Sequence, residues 1–200
     1  MLANVLFDDV RDEMHDDGTR YTDTLLTRYL NKAIRAIITL VPVAGAETRE
    51  FALVAGVKQS IPTDAARLID LVCNVGGSTV SRISREEIDS YNPTWRQSNA
   101  VVTVEEFMYD PEQDPRTFYV SPPQPGTPGN VEAILSVFPA SIADATTEDF
   151  PLSTEYLDAA IAHMVHLAHK AETGEGSNSD AALSYQTFLA SLGLRSDGKA

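Results

Sequence analysis

The chain has 200 residues, of which 43% are hydrophobic and 22% are charged, so it is long enough to bury a core and is not typical of a disordered protein. Its 29 acidic residues against 15 Lys and Arg give a net charge of −14. That balance argues against a surface that holds nucleic acid, because such binding depends on Lys and Arg contacts to phosphates. DNA can still pass nearby without being bound.

Two helices are predicted within residues 1–48. Apolar residues recur at steps of three and four from Leu2 to Met14, which is typical of one buried helix face. A second apolar stripe follows between a capping residue, Thr22, and Pro42, which ends the helix. The first segment also contains six acidic residues: Asp8, Asp9, Asp12, Glu13, Asp16 and Asp17.

Residues 49–139 change to short apolar runs separated by turn residues, which is typical of a small antiparallel sheet or barrel. We expect a hairpin from 50–54 and 57–61, with the turn at Ala55 and Gly56. We expect a second pairing between 67–75 and 79–83.

The rest of this β-rich region contains a short helix and three more strands. Ser84 and Glu87 have the spacing of a capping box that begins the helix. Strands are predicted at 107–109 and 117–120, and a final one at 131–138. The prolines between them, Pro122, Pro123, Pro125 and Pro128, predict a stiff loop that cannot belong to a central strand.

One cysteine, Cys73, is present, which excludes an intramolecular disulfide and the secreted class that depends on such bonds. It lies in an apolar run without a neighbouring positive charge, which favours a buried side chain over a nucleophile. No apolar run approaches the roughly 20 residues of a membrane span, and the first residues lack the pattern of a signal peptide. We therefore expect a soluble protein made in a reducing compartment.

Helical periodicity returns after Pro151 and predicts two further helices within residues 140–193, the second ending at Gly193. The predicted fold class is therefore α+β, an antiparallel four-helix bundle with a β-rich inserted subdomain. The predicted domains are the first two bundle helices, the insertion, the last two bundle helices and a polar C-terminal tail, with the boundaries 1–48, 49–139, 140–193 and 194–200.

Three histidines, His163, His166 and His169, lie three residues apart on the third bundle helix and raise the alternative of a metal-dependent hydrolase. At about 100° per residue they fan across the polar face and do not converge, and a helical pair of histidines four residues apart is absent. We therefore predict a solvent-facing or subunit-facing surface. Without a nucleophile elbow, a Cys–His pair or a phosphate loop, we expect no enzyme, cofactor or metal.

Five segments resemble the head-to-tail adaptor (connector) proteins of tailed bacteriophages. The start of the second helix has an aromatic residue, a capping Thr-Asp, two leucines and Tyr-Leu-Asn at the spacing found in that family. The other four segments follow in the order in which they occur in the family. The segments are 21–33 (YTDTLLTRYLNKA), 53–62 (LVAGVKQSIP), 66–70 (ARLID), 92–95 (NPTW) and 114–123 (DPRTFYVSPP).

The resemblance implies a structural protein of the virion head-tail junction, made in the bacterial host cytoplasm. Such adaptors form a ring, usually a dodecamer, beneath the portal protein. The ring joins the portal to the tail, where nozzle or tail-fibre proteins are the expected partners, and DNA passes through it during ejection without specific binding. The family has no catalytic residues and no membrane partner, and its terminal extensions often dock into the portal or an adjacent subunit.

Two groups of residues are predicted to serve this role. The six acids of the first helical segment are predicted to face the DNA channel. Cations of the second helix could pair with acids of another subunit, and large aromatic residues suit interfaces, although a core position is their alternative. The predicted interface residues are Arg28, Lys32, Arg35, Tyr91, Trp95, Arg195 and Lys199.

A monomeric acidic protein-binding module is the second alternative function, beside the metal-dependent hydrolase.

Overall fold

Helices and strands occupy separate stretches of the chain in the structure, a computed structural model that describes residues 1–172 and 177–194. Among these residues it contains five α-helices and seven β-strands, which confirms the α+β class. The helices are α1 (Val5–Glu13), α2 (Asp23–Leu40), α3 (Arg85–Tyr91), α4 (Leu157–Ala171) and α5 (Ser177–Ser191). The strands are β1 (Ala46–Ala52), β2 (Gly56–Ser60), β3 (Ala65–Asn74), β4 (Ser81–Arg82), β5 (Glu106–Met108), β6 (Thr117–Gln124) and β7 (Asn130–Val137).

The chain divides into two compact units. The helical unit comprises Met1–Ala44 and Pro139–Ala200 and contains α1, α2, α4 and α5. The β unit comprises Gly45–Phe138 and contains α3 and the seven strands. Residues 195–200 of the predicted tail, 194–200, lie outside the described residues. The predicted domain boundaries stay predictions.

Helix α2 follows the predicted apolar stripe closely. Leu26, Leu30 and Ile37 are fully buried on one face, as the three- and four-residue spacing requires. The helix begins directly after Thr22, whose side chain makes no capping hydrogen bond, and it ends before Pro42. None of the helices in the described ranges combines the length and the apolar composition needed to cross a membrane.

Helix α4 contacts each of the other three helices of the helical unit. Its burial is therefore wider than the single stripe that the sequence predicts, and it includes Ala159, Val165 and the polar His163. Helix α5 ends where Gly193 adopts a φ of 71°, a left-handed conformation that glycine tolerates. The antiparallel four-helix bundle itself stays a prediction, since α1 has only 9 residues.

The β unit consists of two sheets that share one apolar core. The first sheet is antiparallel with the strand order β1-β7-β3, and the second has the order β2-β6-β5-β4, in which β4 is parallel to β5. Leu71 and Leu135 of the first sheet and Phe107 and Phe118 of the second belong to the same buried cluster. Cys73 is half-buried in β3 and forms no disulfide.

The predicted hairpin between β1 and β2 is wrong, because these two strands belong to different sheets. The chain crosses between the sheets at Leu53, which is buried in the shared core. The buried amide of Gln59 bonds the N–H and the carbonyl of Val54, at 2.7 and 2.8 Å, so this turn is held by a side chain and not by a strand ladder.

The second predicted pairing is correct only in part. Cys73 and Thr79 form an isolated antiparallel bridge, and the N–H of Val80 donates to the carbonyl of Val72 at 3.2 Å. The chain then leaves β3, and β4 pairs with β5 instead.

Other local predictions in the β unit are confirmed. Ser84 accepts a hydrogen bond from the N–H of Glu87 at 3.1 Å and caps α3. Strands β5 and β6, which correspond to the predicted strands 107–109 and 117–120, pair with each other, with Phe107 opposite Val120. Strand β7 forms as predicted and pairs on both sides, with β1 and with β3.

The prediction that the prolines lie outside a central strand is wrong for Pro122 and Pro123, which belong to β6. This strand lies between β2 and β5. The proline carbonyls and their neighbours still accept hydrogen bonds: Glu105 donates to Ser121, and Val101 donates to Pro123, both at 2.9 Å. A strand can therefore contain prolines where only its carbonyls are required for pairing.

Candidate interaction surfaces

Four acidic side chains of α1 face away from the buried side of the helix. Leu6, Phe7 and Val10 are buried on the opposite side. Asp8 lies 3.6 Å from the guanidinium of Arg11, and this weak contact leaves the surface strongly negative. The four exposed acids are Asp8, Asp9, Asp12 and Glu13.

The other two predicted channel acids, Asp16 and Asp17, stabilise the turn that leads into α2. The Asp16 carboxylate accepts backbone N–H groups from Gly18, Arg20 and Tyr21 at 3.1, 3.2 and 2.9 Å. These hydrogen bonds, that of Tyr21 above all, lower the pKa of Asp16 below its usual value. Asp17 accepts the N–H and the hydroxyl of the residue two positions later in the same way. The sequence could have indicated this role, because an aspartate in a turn often accepts a hydrogen bond from the backbone N–H two residues later.

The cations of α2 lie on one exposed face, as their spacing of four and three residues requires. Arg28, Lys32 and Arg35 are all exposed. The ammonium of Lys32 lies 5.9 Å from the ring centroid of Tyr29, at the outer limit of a cation–π contact. The remaining predicted cations, Arg195 and Lys199, lie outside the described residues.

The structure separates the two predicted interface aromatics. Tyr91 is 57% exposed, and its hydroxyl donates to a carboxylate oxygen of Glu106, which raises the pKa of Tyr91 to about 12. Trp95 is fully buried, and its indole N–H donates to Asp89 at 2.9 Å. The guanidinium of Arg96 covers the ring at 4.4 Å. Trp95 therefore has no surface to offer a partner, and the core alternative replaces its interface assignment.

Two histidines of α4, His163 and His166, face α5, contrary to the predicted solvent-facing or subunit-facing surface. His163 is buried and its ring lies 4.7 Å from that of Phe188, centroid to centroid. Burial chiefly lowers the pKa of His163 to about 4. The Nδ1 atom of His166 lies 2.7 Å from the carbonyl oxygen of Ala181, and His169 lies 3.7 Å from Glu172. The rings of His163 and His166 lie 5.8 Å apart, centroid to centroid, but no group of three potential metal ligands occurs in the part of the chain that the structure describes.

A cleft of about 580 Å³ lies in the β unit beside the loop between β5 and β6. Its wall contains cations, including Arg82 and Arg85, and carboxylates, including Asp110 and Asp114. Asp114 already bonds the N–H of Arg116 and the hydroxyl of Thr117. The cleft thus carries both signs of charge and favours no single charge of ligand.

A group of exposed valines at one end of the β unit was not predicted from the sequence. Val54, Val75, Val101 and Val102 are exposed although they are apolar. Scattered exposed apolar residues are ordinary, but these four lie in loops that contain no charged residue. In a chain with so many acids, the absence of charged residues from these loops could have indicated this surface from the sequence.

The SU10 adaptor protein family model matches residues 1–200 of the chain. A comparison with curated protein sequences found no match. The family match covers both the helical unit and the β unit, and it agrees with the resemblance found in the five sequence segments. The chain therefore belongs to the SU10 adaptor protein family, a family of phage head-to-tail adaptors.

Proposed function

We propose that the chain forms a homo-oligomeric ring, of twelve copies as is usual in such adaptors, which connects the portal protein to the tail of a phage virion. The observation that carries this proposal is the family match over the whole length of the chain. The role is structural, at the head-tail junction, and a tail nozzle or tail-fibre protein is the partner below the ring.

The helical unit is the part that we assign to the ring wall, with its helices arranged as a bundle around α4. The exposed cations Arg28, Lys32 and Arg35 lie on one face of α2, where they can approach an acidic surface of an adjacent subunit or of the portal. Tyr91 contributes a second exposed contact, in the β unit. Exposed ion pairs stabilise a complex only modestly, so these contacts contribute more to the choice of partner than to the strength of binding.

The exposed acids of α1 are the candidates for the surface that faces DNA. A negative lumen repels the phosphate backbone and keeps DNA from adhering during passage. Salt limits this repulsion to about 8 to 10 Å, so only acids at the lumen affect DNA. Asp8, Asp9, Asp12 and Glu13 have the exposure that this role needs.

Mass measurement tests the ring. The purified chain is measured alone and after mixing with its portal protein, over a range of concentrations. We expect a ring of defined copy number, formed alone or on the portal. A monomer at every concentration, together with no assembly on the portal, contradicts the proposal and favours a monomeric acidic binding module.

Neutralising the α1 acids tests the channel assignment. The variant D8N/D9N/D12N/E13Q is compared with E86Q/E87Q/E105Q/E112Q, which removes four exposed acids from the β unit. We expect rings of the first variant to retain DNA longer at low salt, as measured by DNA release from assembled particles. Equal retention by both variants would show that the α1 acids do not line the channel.

A further inference from the structure

Four loops of the β unit meet at one end of its two sheets, around the start of β7. We call them the uncharged loop end: residues 53–57, 74–79, 98–103 and 124–130. Strand pairing brings them together, because Asn130 lies opposite Ala52 of β1 and the next residue, Val131, lies opposite Asn74 of β3. In the second sheet, Gly56 lies opposite Gln124.

Backbone hydrogen bonds join neighbouring loops directly. The N–H of Leu53 donates to the carbonyl of Gly129, and the N–H of Val75 donates to that of Asn130, both at 3.0 Å. Gly129 also lies so close to Val102 that an added Cβ would come within 2.7 Å of the Val102 carbonyl oxygen. The loops therefore form one continuous surface.

Three buried amide side chains hold these loops in place through hydrogen bonds. Gln59, Asn74 and Gln124 are 1%, 7% and 3% exposed. Gln124 donates to the carbonyl of Val101 at 3.0 Å and accepts the N–H of Gly129 at 3.1 Å. Buried amides whose hydrogen bonds are satisfied rigidify the structure around them. A rigid surface loses less conformational entropy when a partner binds.

The same loops present valines to solvent. Val54, Val101 and Val102 are 56%, 45% and 52% exposed, and Val75 is 40% exposed. None of the residues in the four loops is Asp, Glu, Lys or Arg, whereas charged residues make up 22% of the chain. Exposed apolar side chains without charged neighbours are typical of the centre of a protein interface.

We propose that the uncharged loop end docks on an adjacent copy of this chain in the ring. This inference rests on the proposed ring and adds a surface of the β unit through which adjacent subunits meet, beside the contacts of the helical unit. Each copy carries a net charge of −14, so identical copies repel one another wherever their acidic surfaces approach. Contact through a surface without charge avoids that repulsion and gains from burying the valines.

The absence of charge at this end favours a second copy over DNA and over a partner of opposite charge. DNA requires cations at its binding surface, and the four loops have none. A partner of opposite charge would be attracted by the many acids elsewhere on the chain. A surface without charge is most useful for contact with a chain of the same charge.

The test adds charge to the valines and measures assembly by mass photometry over a concentration series. We expect V101D/V102D to weaken self-association by at least about tenfold, because carboxylates would be buried without partners. The variant V101T/V102T removes apolar surface without adding charge, and we expect a smaller loss in the same direction. Q97D/Q113D, which adds two acids at exposed positions outside the loops, serves as the matched control and should assemble like the wild type.

Unfolding midpoints are measured for all variants, so that loss of assembly is separated from loss of fold. If V101D/V102D and V101T/V102T fold and assemble as well as the wild type, the inference is wrong while the proposed ring stands. Unaltered rings that no longer bind the portal would also overturn it, because the occupant would then be the portal. A wild-type chain that forms no ring would contradict the proposed function, on which this inference rests.

Discussion

At the scale of single residues, the surroundings of a side chain give the same residue type quite different roles. Asp9 projects from α1 into solvent, whereas Asp16 bonds three backbone N–H groups in the following turn. His15 is exposed and His163 is buried against Phe188. Neither difference follows from residue type, because each depends on what the next element places beside the side chain.

His163 is expected to make the protein less stable in mild acid. Burial lowers the pKa of His163 from 6.5 to about 4, and the nearby charges of His166 and Lys32 contribute smaller decreases. The folded state therefore resists protonation, so the full contribution to stability is present above pH 6.5 and is lost as the pH falls towards 4. We expect His163→Met to reduce the fall in unfolding free energy across this window by on the order of 3 kcal/mol.

Urea denaturation at several pH values provides the measurement for His163. His15→Asn is the control, since it replaces an exposed histidine whose left-handed backbone asparagine tolerates. An unchanged pH slope in His163→Met would contradict the buried, neutral histidine.

Asp16→Ala is expected to lower the unfolding midpoint because the N–H groups of Gly18, Arg20 and Tyr21 lose their acceptor. Asp9→Ala is the matched control, as Asp9 is an exposed acid of the same region. Thermal unfolding should show the larger decrease for Asp16→Ala. Equal decreases would mean that Asp16 acts only through its charge.

At the scale of elements, two pairings decide the structure of the units. Helix α5 packs on α4 and covers the histidine face that the periodicity assigns to a polar surface. Strand β6 lies between β2 and β5 although it contains two prolines. Both results depend on long-range partners, which local periodicity and proline content do not reveal.

Packing between α4 and α5 is expected to depend on Phe188. This side chain is 1% exposed and meets the ring of His163. Phe188→Ala should lower the free energy of unfolding by about 3 to 5 kcal/mol, through lost burial and a cavity. Leu183→Ala on the same helix, where the side chain is 64% exposed, should cost less than about 0.5 kcal/mol.

Equilibrium urea unfolding measures both variants of α5. Similar losses for Phe188→Ala and Leu183→Ala would show that α5 does not pack on α4 through Phe188.

At the scale of the whole molecule, the net charge of −14 sets the conditions for assembly. A ring multiplies this charge by its copy number, so repulsion opposes assembly unless salt screens it. We propose two responses to this charge in the ring. The exposed acids of α1 would keep DNA from adhering, and the uncharged loop end would let like-charged chains meet.

Self-association is therefore expected to strengthen with salt. Between about 0.01 M and 0.15 M NaCl the screening length falls from about 30 to about 8 Å. Mass photometry should show a larger ring fraction at the higher salt, and E86Q/E87Q/E105Q/E112Q should respond less than the wild type. A ring that dissociates with salt would instead show that ion pairs, such as those of the α2 cations, dominate the interface.

The sequence by itself determined the local elements and the family. Apolar spacing predicted α2, the Ser84–Glu87 spacing predicted the cap of α3, and alternation predicted β7, because each depends on residues close in the chain. Five short segments in their family order were enough to indicate a phage adaptor, as the whole-chain match then showed.

Only the tertiary structure decided which strands pair and which side chains are buried. It separated β1 from β2, placed Trp95 in a core and covered His163 with α5. It also brought four uncharged loops to one end of the β unit. These outcomes depend on contacts between residues far apart in the chain, where burial and hydrogen-bond satisfaction outweigh local preference.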